Sequence, residues 1–195
     1  MNLRNFSSCL LLAAVAVLAG CSQGNPLDDH ADAGTPHDYA MWHQRESDRL
    51  TVPQSQALDT AIEQLKLKAQ AGGAKGDAID DAMRKEINGK TVREVLQLGY
   101  SWGLATLEEQ RTYVDQFIKQ NAELTTKPGD TASADYLAER RDEQTSRRRQ
   151  LDQQISDLED QMKSLGLAVV PAKLPPNAGK IPDQPQPSAT PSGHP

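Results

Sequence analysis

The stretch from Thr131 to Leu165 contains no proline or glycine, and it constrains the fold of this chain more than any other feature of the sequence. Gly129 precedes the stretch and Gly166 follows it directly. Proline and glycine are the residues that most strongly disfavour a helix interior. A polar, charged stretch of this length without either of them therefore predicts one long helix, over residues 131–165.

Apolar residues in the second half of the stretch alternate at spacings of four and three. We call them the seam, and they are Leu151, Ile155, Leu158, Met162 and Leu165. The spacing is that of a coiled coil, but only two heptads are strongly apolar, where a free-standing coiled coil uses three or four. Two interpretations stay open. The seam packs on the body of the same chain, or it mediates self-association or the binding of another protein.

Apolar residues three and four positions apart predict helices in the body of the chain, residues 53–126. The first helix follows Pro53 and ends at Gly72. Its predicted buried face consists of Leu58, Ala61, Ile62, Leu65 and Ala69. A second, shorter helix lies between Gly76 and Asn88. Such short helices are typical of a small bundle.

Two segments have the pattern of a capping box, in which a Thr hydroxyl and a Glu carboxylate bond to free backbone N–H groups at a helix start. They are residues 91–94 and 106–109. They predict a third and a fourth short helix, joined by a loop around residues 99–103. The predicted fold class is therefore all-α, with a bundle of short helices over residues 53–126 followed by the long helix.

Both ends of the chain have the composition of disordered segments. Residues 21–52 are polar, contain several glycines, prolines and aspartates, and predict a flexible tether. Residues 167–195 are rich in proline and predict a disordered, partly polyproline II tail. In the tether, His30, His37 and His43 stand among aspartates at spacings that match no rigid metal site. The sequence therefore predicts no metal and no other cofactor.

The charge of the chain argues against nucleic acid as a partner. The formal net charge is −6 at pH 7, whereas nucleic acid selects basic surfaces. The long helix does carry the arginines Arg140, Arg141, Arg147, Arg148 and Arg149. Acidic residues alternate with them, which predicts a solvated helix with many salt bridges.

Residues 99–103 match the G-x-S-x-G pattern of the α/β-hydrolase nucleophile elbow. That motif requires a strand before it, a helix after it, and a downstream histidine. Here a predicted helix precedes it, and the only later histidine is His194 in the predicted tail. The match is therefore interpreted as fortuitous. Residues 53–166 also contain no histidine or cysteine, the commonest bases and nucleophiles, so the sequence predicts that the protein is not an enzyme.

The first 21 residues have the features of an export signal. Arg4 precedes an apolar run that is too short to span a bilayer. The run ends in Leu18-Ala19-Gly20-Cys21, which resembles the lipobox of bacterial lipoproteins. The resemblance implies that residues 1–20 are removed and that Cys21 receives a diacylglyceryl group, usually with a further acyl chain such as palmitate. Two or three acyl chains hold a protein stably in a bilayer.

The lipobox resemblance also implies a location in the cell envelope. Ser22 follows the cysteine, which is similar to lipoproteins of the outer membrane that face the periplasm. The helix start at residues 88–95 resembles small proteobacterial lipoproteins, which brings no known activity. We therefore expect a lipid-anchored, non-catalytic scaffold or interaction protein. The alternative is a peptidoglycan-acting enzyme, or an activator of a cell-wall enzyme that binds peptidoglycan.

Overall fold

A computed structural model describes residues 24–124, 126 and 129–174, and these residues form an all-helical structure. Its five α-helices are α1 (Pro36–Arg49), α2 (Val52–Ala71), α3 (Asp77–Ile87), α4 (Val92–Ala122) and α5 (Thr131–Ser164). A short 3₁₀ helix, Pro26–Asp28, precedes them. The described residues contain no strand, only an isolated β-bridge between His30 and Thr91. The predicted all-α fold class is confirmed.

Helix α4 is the centre of the structure, with α2 and α5 packed along it and α3 packed on α2. The helices α2 and α4 approach most closely at Gly99, where an added Cβ would lie 2.5 Å from the Cα of Ala61. One helical turn further along, Gly103 faces Gln64. The later residue of α4 faces the later residue of α2, so the two helices run in the same direction.

The prediction of separate third and fourth helices is wrong, because α4 continues without a break through residues 99–103. The first capping box is present: the backbone N–H of Thr91 donates to Glu94 Oε2 at 2.7 Å. The second box does not form, since Thr106 lies inside the helix and its hydroxyl donates to the carbonyl of Trp102. A glycine inside a helix costs about 1 kcal/mol, and here close packing against α2 offsets that cost.

Helix α5 confirms the predicted long helix. Its N-terminus is capped by Asp130, whose carboxylate accepts from the backbone N–H of Ser133 at 3.1 Å. At its other end Gly166 adopts a φ of +69°, which is a conformation that favours glycine and ends the helix. The helix runs antiparallel to α4, because Arg148 pairs with Asp115 at 2.6 Å while Leu158, later in α5, lines the same cavity as Leu107, earlier in α4.

The prediction of a flexible tether over residues 21–52 is wrong for its described part. Helix α1 occupies most of it, and Thr35 caps the helix by accepting from the backbone N–H of Asp38 at 3.1 Å. The Trp42 side chain is only 1% exposed, and Glu46 is fully buried beside it. One large aromatic ring thus buries enough apolar area to hold the helix on the body, although the polar sequence shows no apolar periodicity.

The predicted disordered tail also begins later than expected. Leu167 is buried in the core, and the segment after it lies along α4 without regular secondary structure. The Gln97 amide pairs with both backbone groups of Ala168, at 2.8 and 2.9 Å. The backbone N–H of Ala172 donates to the carbonyl of Ser101 at 2.9 Å. Residues 175–195 lie outside the described residues, so the prediction for them stays a prediction.

Candidate functional site

The two sets of predicted site residues have different outcomes. Cys21, the predicted lipid attachment site, lies outside the described residues. The seam is described: Leu151, Ile155 and Met162 are buried, and the other two members are half-buried and packed against the core. Of the two interpretations of the seam, the structure therefore shows packing within the same chain.

Helices α4 and α5 extend past the rest of the described structure as a two-helix arm, defined here as residues 110–122 and 131–150. Because α2 and α4 run side by side in the same direction, α2 ends at Ala71 near the level of Glu109. Beyond that level, α5 is the one described helix that accompanies α4. At 1.5 Å per residue the arm projects about 20 Å.

Ion pairs and helix capping hold the two helices of the arm together. Arg148 of α5 pairs with Asp115 of α4. The guanidinium of Arg141 donates to the carbonyls of Asn121 and Leu124 at 3.0 and 3.2 Å. These carbonyls belong to the C-terminal end of α4, where a positive charge is favourable. These two arginines are thus used within the chain, in contacts with α4.

One face of α4 is covered by α2 in the body and is uncovered in the arm. Gly103 lies on this face, and two steps of seven residues, which preserve a helix face, lead from it to Phe117. Leu124 follows two residues after the end of α4. Tyr113 is on the same side. Tyr113 and Leu124 are 52% and 50% exposed, and Phe117 is half-buried. We call this surface, Tyr113, Phe117 and Leu124, the open face of the arm.

A groove lies between α2 and α5, with α4 as its floor. It comprises two adjoining cavities of about 260 and 270 Å³, and Tyr100 of α4 lines both of them. The first cavity is also lined by Thr60, Gln64, Leu67, Gly103, Thr106, Leu107, Gln110 and Leu158. The second is also lined by Pro53, Gln56, Ala57, Gln161, Ser164 and Leu165. The groove therefore follows α2 from its first turn almost to its end.

The groove is lined by uncharged side chains, several of which are polar. None of the described residues that line it is charged, although Asp, Glu, Lys and Arg make up 25% of the chain. Tyr100 is only 3% exposed, and burial raises the pKa of its hydroxyl, which stays protonated at neutral pH. Within the described part of the chain, this hydroxyl makes no hydrogen bond, nor do the side-chain amides of Gln56, Gln64, Gln110 and Gln161.

The structure does not form a nucleophile elbow at residues 99–103. Ser101 lies in the middle of α4, and its hydroxyl accepts from the amide of Gln97 at 2.8 Å. The elbow needs a sharp turn between a strand and a helix, which exposes the serine. A continuous helix does not provide that turn.

Two of the three histidines of the predicted tether, His30 and His43, make hydrogen-bond contacts within the described structure. The ring nitrogen Nδ1 of His30 lies 2.9 Å from the carbonyl of Gly89. Nε2 of His43 lies 2.8 Å from the carboxylate of Asp59. Over the described ranges, no three His, Cys, Asp or Glu side chains are grouped closely enough to hold a metal ion.

Sequence reasoning missed both the open face and the groove. The heptad relation of Gly103, Gln110, Phe117 and Leu124 is visible in the sequence. The predicted loop at residues 99–103 separates the first of these from the others, so the sequence does not predict a shared helix face. The groove depends on how three helices are arranged in space, for which the sequence holds no local signal.

The chain matches no protein-family model, no curated protein and no solved structure. Among the described residues, no helix is both long enough and apolar enough to cross a bilayer.

Proposed function

We infer that this protein is a lipid-anchored, non-catalytic component of the bacterial cell envelope that presents its helical arm to a protein partner. The observation that carries the proposal is the layout of the fold. The segment nearest Cys21 packs at the start of α4, and the arm projects from the opposite end of the same helix.

Residues 27–29, the anchor end of the body, are held at the start of α4. The backbone N–H of Val92 donates to the carbonyl of Asp29 at 2.9 Å. Arg93 lies 3.6 Å from the carboxylate of Asp28. Leu27 is already buried in the core. Six residues after Cys21 the chain is therefore part of the body, and six residues span at most about 20 Å. A body anchored through Cys21 would lie close to the bilayer.

The arm would then extend away from the membrane. Helix α4 has 31 residues, which corresponds to about 46 Å from the anchor end to the end of the arm. A surface at that distance from the bilayer is accessible to a periplasmic protein if the anchor is in the outer membrane.

The open face indicates the kind of partner. In the body, α2 packs on this same side of α4 against Gly99 and Gly103. An apolar helix of a partner protein that continues the path of α2 would cover Tyr113, Phe117 and Leu124 in the same way. Helix-on-helix packing is thus the interaction that this surface supports best.

Site-specific photo-crosslinking in cells tests the proposal. A photo-reactive amino acid at Tyr113 should capture a defined envelope protein, and the crosslinked segment of that protein should be an amphipathic helix. The matched control is the same amino acid at Met41 of α1, which is 61% exposed but lies outside the arm. Identical captures from both positions, or capture of peptidoglycan alone from Tyr113, would contradict the proposal. The second result would favour the cell-wall alternative.

A further inference from the structure

One side of α5 borders the groove in the body, and the opposite side does not. Gln161 lines the groove next to Leu165, a member of the seam. Asp152 precedes Gln161 by about two and a half turns, so it lies on the opposite side of the helix. There its carboxylate is 4.0 Å from the guanidinium of Arg111 in α4. We call the side of α5 that carries Gln161 the groove edge.

Helix α5 keeps the same face toward α4 in the arm as in the body. Ile155 and Met162 are buried in the body. Arg148, one heptad before Ile155, pairs with Asp115 of α4. Arg141, one heptad earlier again, donates to carbonyls at the end of α4. Steps of seven residues therefore preserve each side of α5 relative to α4 over the whole length of the arm.

The same steps carry the groove edge from the body into the arm. They lead from Gln161 to Gln154 in the body, and then to Arg147 and Arg140 in the arm. The open face of α4 lies on this side of the arm too, because its heptad line starts at Gly103, which lines the groove. Arg140 and Arg147 thus border the open face, about 10 Å apart along the helix axis.

The positive charge of this edge is available to a partner. Arg147 is exposed and makes no ion pair with any residue that the structure describes. Arg140 lies 3.5 Å from Glu143, whose side chain is 62% exposed, and so exposed an ion pair contributes little. The arm as a whole carries seven basic and five acidic residues, whereas the rest of the chain carries 14 basic and 22 acidic ones.

We propose that the partner helix of the arm is acidic along one edge. Its apolar face covers Tyr113 and Phe117, and the adjoining edge places carboxylates opposite Arg140 and Arg147. Two carboxylates seven residues apart on that helix match the spacing of the two arginines when the helix lies along the arm. This proposal rests on the proposed function, which gives the partner a helix but leaves the charge of that helix open.

Helix α2 supports the proposal as an internal example of how this path along α4 is filled. In the body the groove edge of α5 is uncharged, and the side of α2 that faces it across the groove is uncharged too, with Gln56, Thr60 and Gln64. In the arm the same edge is positive. A helix that continues the path of α2 meets this edge favourably when it is acidic, and like charges at the same place would be repelled.

The open face also distinguishes an acidic helix from an anionic glycan. Tyr113 is 52% exposed and Phe117 is half-buried, directly beside the arginines of the groove edge. An occupant of this surface needs a continuous apolar stripe next to its negative charges. An amphipathic helix has both features on adjacent sides, whereas the carboxylates of peptidoglycan stand on a polar polymer.

Photo-crosslinking in cells with two matched charge variants tests the proposal. The full chain carries a photo-reactive amino acid at Tyr113, combined with either Arg147→Glu or Arg149→Glu. Both arginines are exposed, and neither forms an ion pair within the described ranges. Two residues rotate a helix by about 200°, so Arg149 faces away from the groove edge. At equal protein levels, Arg147→Glu should lower the adduct yield about three- to tenfold, and Arg149→Glu should change it less than about twofold.

The adduct itself gives a second readout. The crosslinked segment should be an amphipathic helix with carboxylates seven residues apart beside its apolar face. Replacing the carboxylate opposite Arg147 by lysine in the partner should restore the yield with Arg147→Glu. Equal yields from the two variants, a segment without an acidic edge, or adducts with peptidoglycan or lipid alone would overturn the proposal.

The failure of this proposal can be told apart from that of the proposed function. Capture of a defined helix with equal yields from Arg147→Glu and Arg149→Glu would overturn the acidic edge and leave the helical partner in place. No protein captured from Tyr113 in the natural background would overturn both.

Discussion

At the scale of single residues, two glycines of α4 have different roles although they lie one turn apart. At Gly99 an added Cβ would be 2.5 Å from backbone atoms of Ala61, and backbone cannot move aside cheaply. At Gly103 the nearest atom is the amide oxygen of Gln64, at 3.4 Å, at the end of a flexible side chain. Gly99 is therefore required for the approach of α2 and α4, whereas Gly103 is not.

We expect Gly99→Ala to lower the free energy of unfolding by about 1–3 kcal/mol, which is the usual cost of overpacking. The control, Gly103→Ala, should be neutral or should stabilise the protein by up to about 1 kcal/mol, since alanine favours helix more than glycine does. Urea denaturation of both variants measures the difference. A smaller loss for Gly99→Ala than for Gly103→Ala would contradict the described packing of α2 on α4.

The capping box at the start of α4 makes stability depend on pH. Hydrogen bonds from the backbone and the hydroxyl of Thr91 lower the pKa of Glu94 below its ordinary value of 4.5. A carboxylate with a lowered pKa in the folded state stabilises the protein above its ordinary pKa, and this contribution is lost as the pH falls through the lowered value.

Thr91→Ala should lower the free energy of unfolding by about 1 kcal/mol at pH 7, the usual cost of losing an N-cap. The difference from the natural protein should shrink at acidic pH, below 4.5, because protonation of Glu94 weakens the box in both proteins. Urea denaturation at neutral and acidic pH checks this. A difference that stays constant or grows as the pH falls would argue against the box.

At the scale of elements, α1 changes the picture of the N-terminal region most. Trp42 places an indole in the core, and Tyr39 packs beside it, with 6.1 Å between the ring centres. The burial of Tyr39 raises the pKa of its hydroxyl. A helix with such a contact is part of the folded body. Loss of the contact should therefore lower the free energy of unfolding of the whole protein.

Trp42→Ala should lower the free energy of unfolding by about 3–5 kcal/mol, the cost of deleting a buried aromatic ring. Met41→Ala, at the exposed neighbouring position, should change it by less than about 0.5 kcal/mol. Thermal denaturation of both variants provides the comparison. A neutral Trp42→Ala would mean that residues 24–51 are the tether that the sequence predicts.

Because the seam is buried within its own chain, we expect a substitution there to change stability and not the oligomeric state, as it would at a coiled-coil interface. Met162→Ala should lower the free energy of unfolding by about 2–5 kcal/mol, because Met162 is fully buried against its own chain. The oligomeric state of the folded variant, measured by sedimentation, should equal that of the natural protein. Dissociation of an oligomer at unchanged stability would show that the seam pairs two chains.

The elements that could be predicted from the sequence are those with a strong local signal. The spacing of Leu58, Ile62 and Leu65 defines the buried face of α2, and all three are buried. The absence of proline and glycine from residues 131–164 defines α5. Both signals are read within a single helix, and neither requires knowledge of a distant contact.

The features that could not be predicted depend on contacts between distant segments. Gly99 reads as a break in the sequence, and only the presence of Ala61 opposite explains why the helix continues. Trp42 forms a small apolar cluster with Tyr39 and Met41 in an otherwise polar stretch, and its burial depends on the surface that α2 and its neighbours provide. The same reason applies to the groove, which none of its three helices specifies alone.

At the scale of the whole molecule, the ordered N-terminal region shortens the distance that we expect between the body and the bilayer. A tether of 30 residues would let the body move tens of ångströms from a bilayer. With Leu27 already in the core, a body anchored at Cys21 stays within about 20 Å of the lipid surface. The arm would then reach into the periplasm, and a flexible segment before α1 would not be needed for this.

The distance of each end from the bilayer tests this arrangement most directly. Asp28→Cys and Tyr136→Cys each introduce a thiol for a fluorescent label, at the anchor end and on the arm. The lipid-modified protein is reconstituted in vesicles that carry an acceptor dye at the lipid surface, with a Cys21→Ser chain as the unanchored control. We expect strong energy transfer from the label at position 28 and weak transfer from the label at position 136, which lies about 45 Å further from the membrane. Equal transfer from both positions, or stronger transfer from the arm, would contradict the proposed orientation.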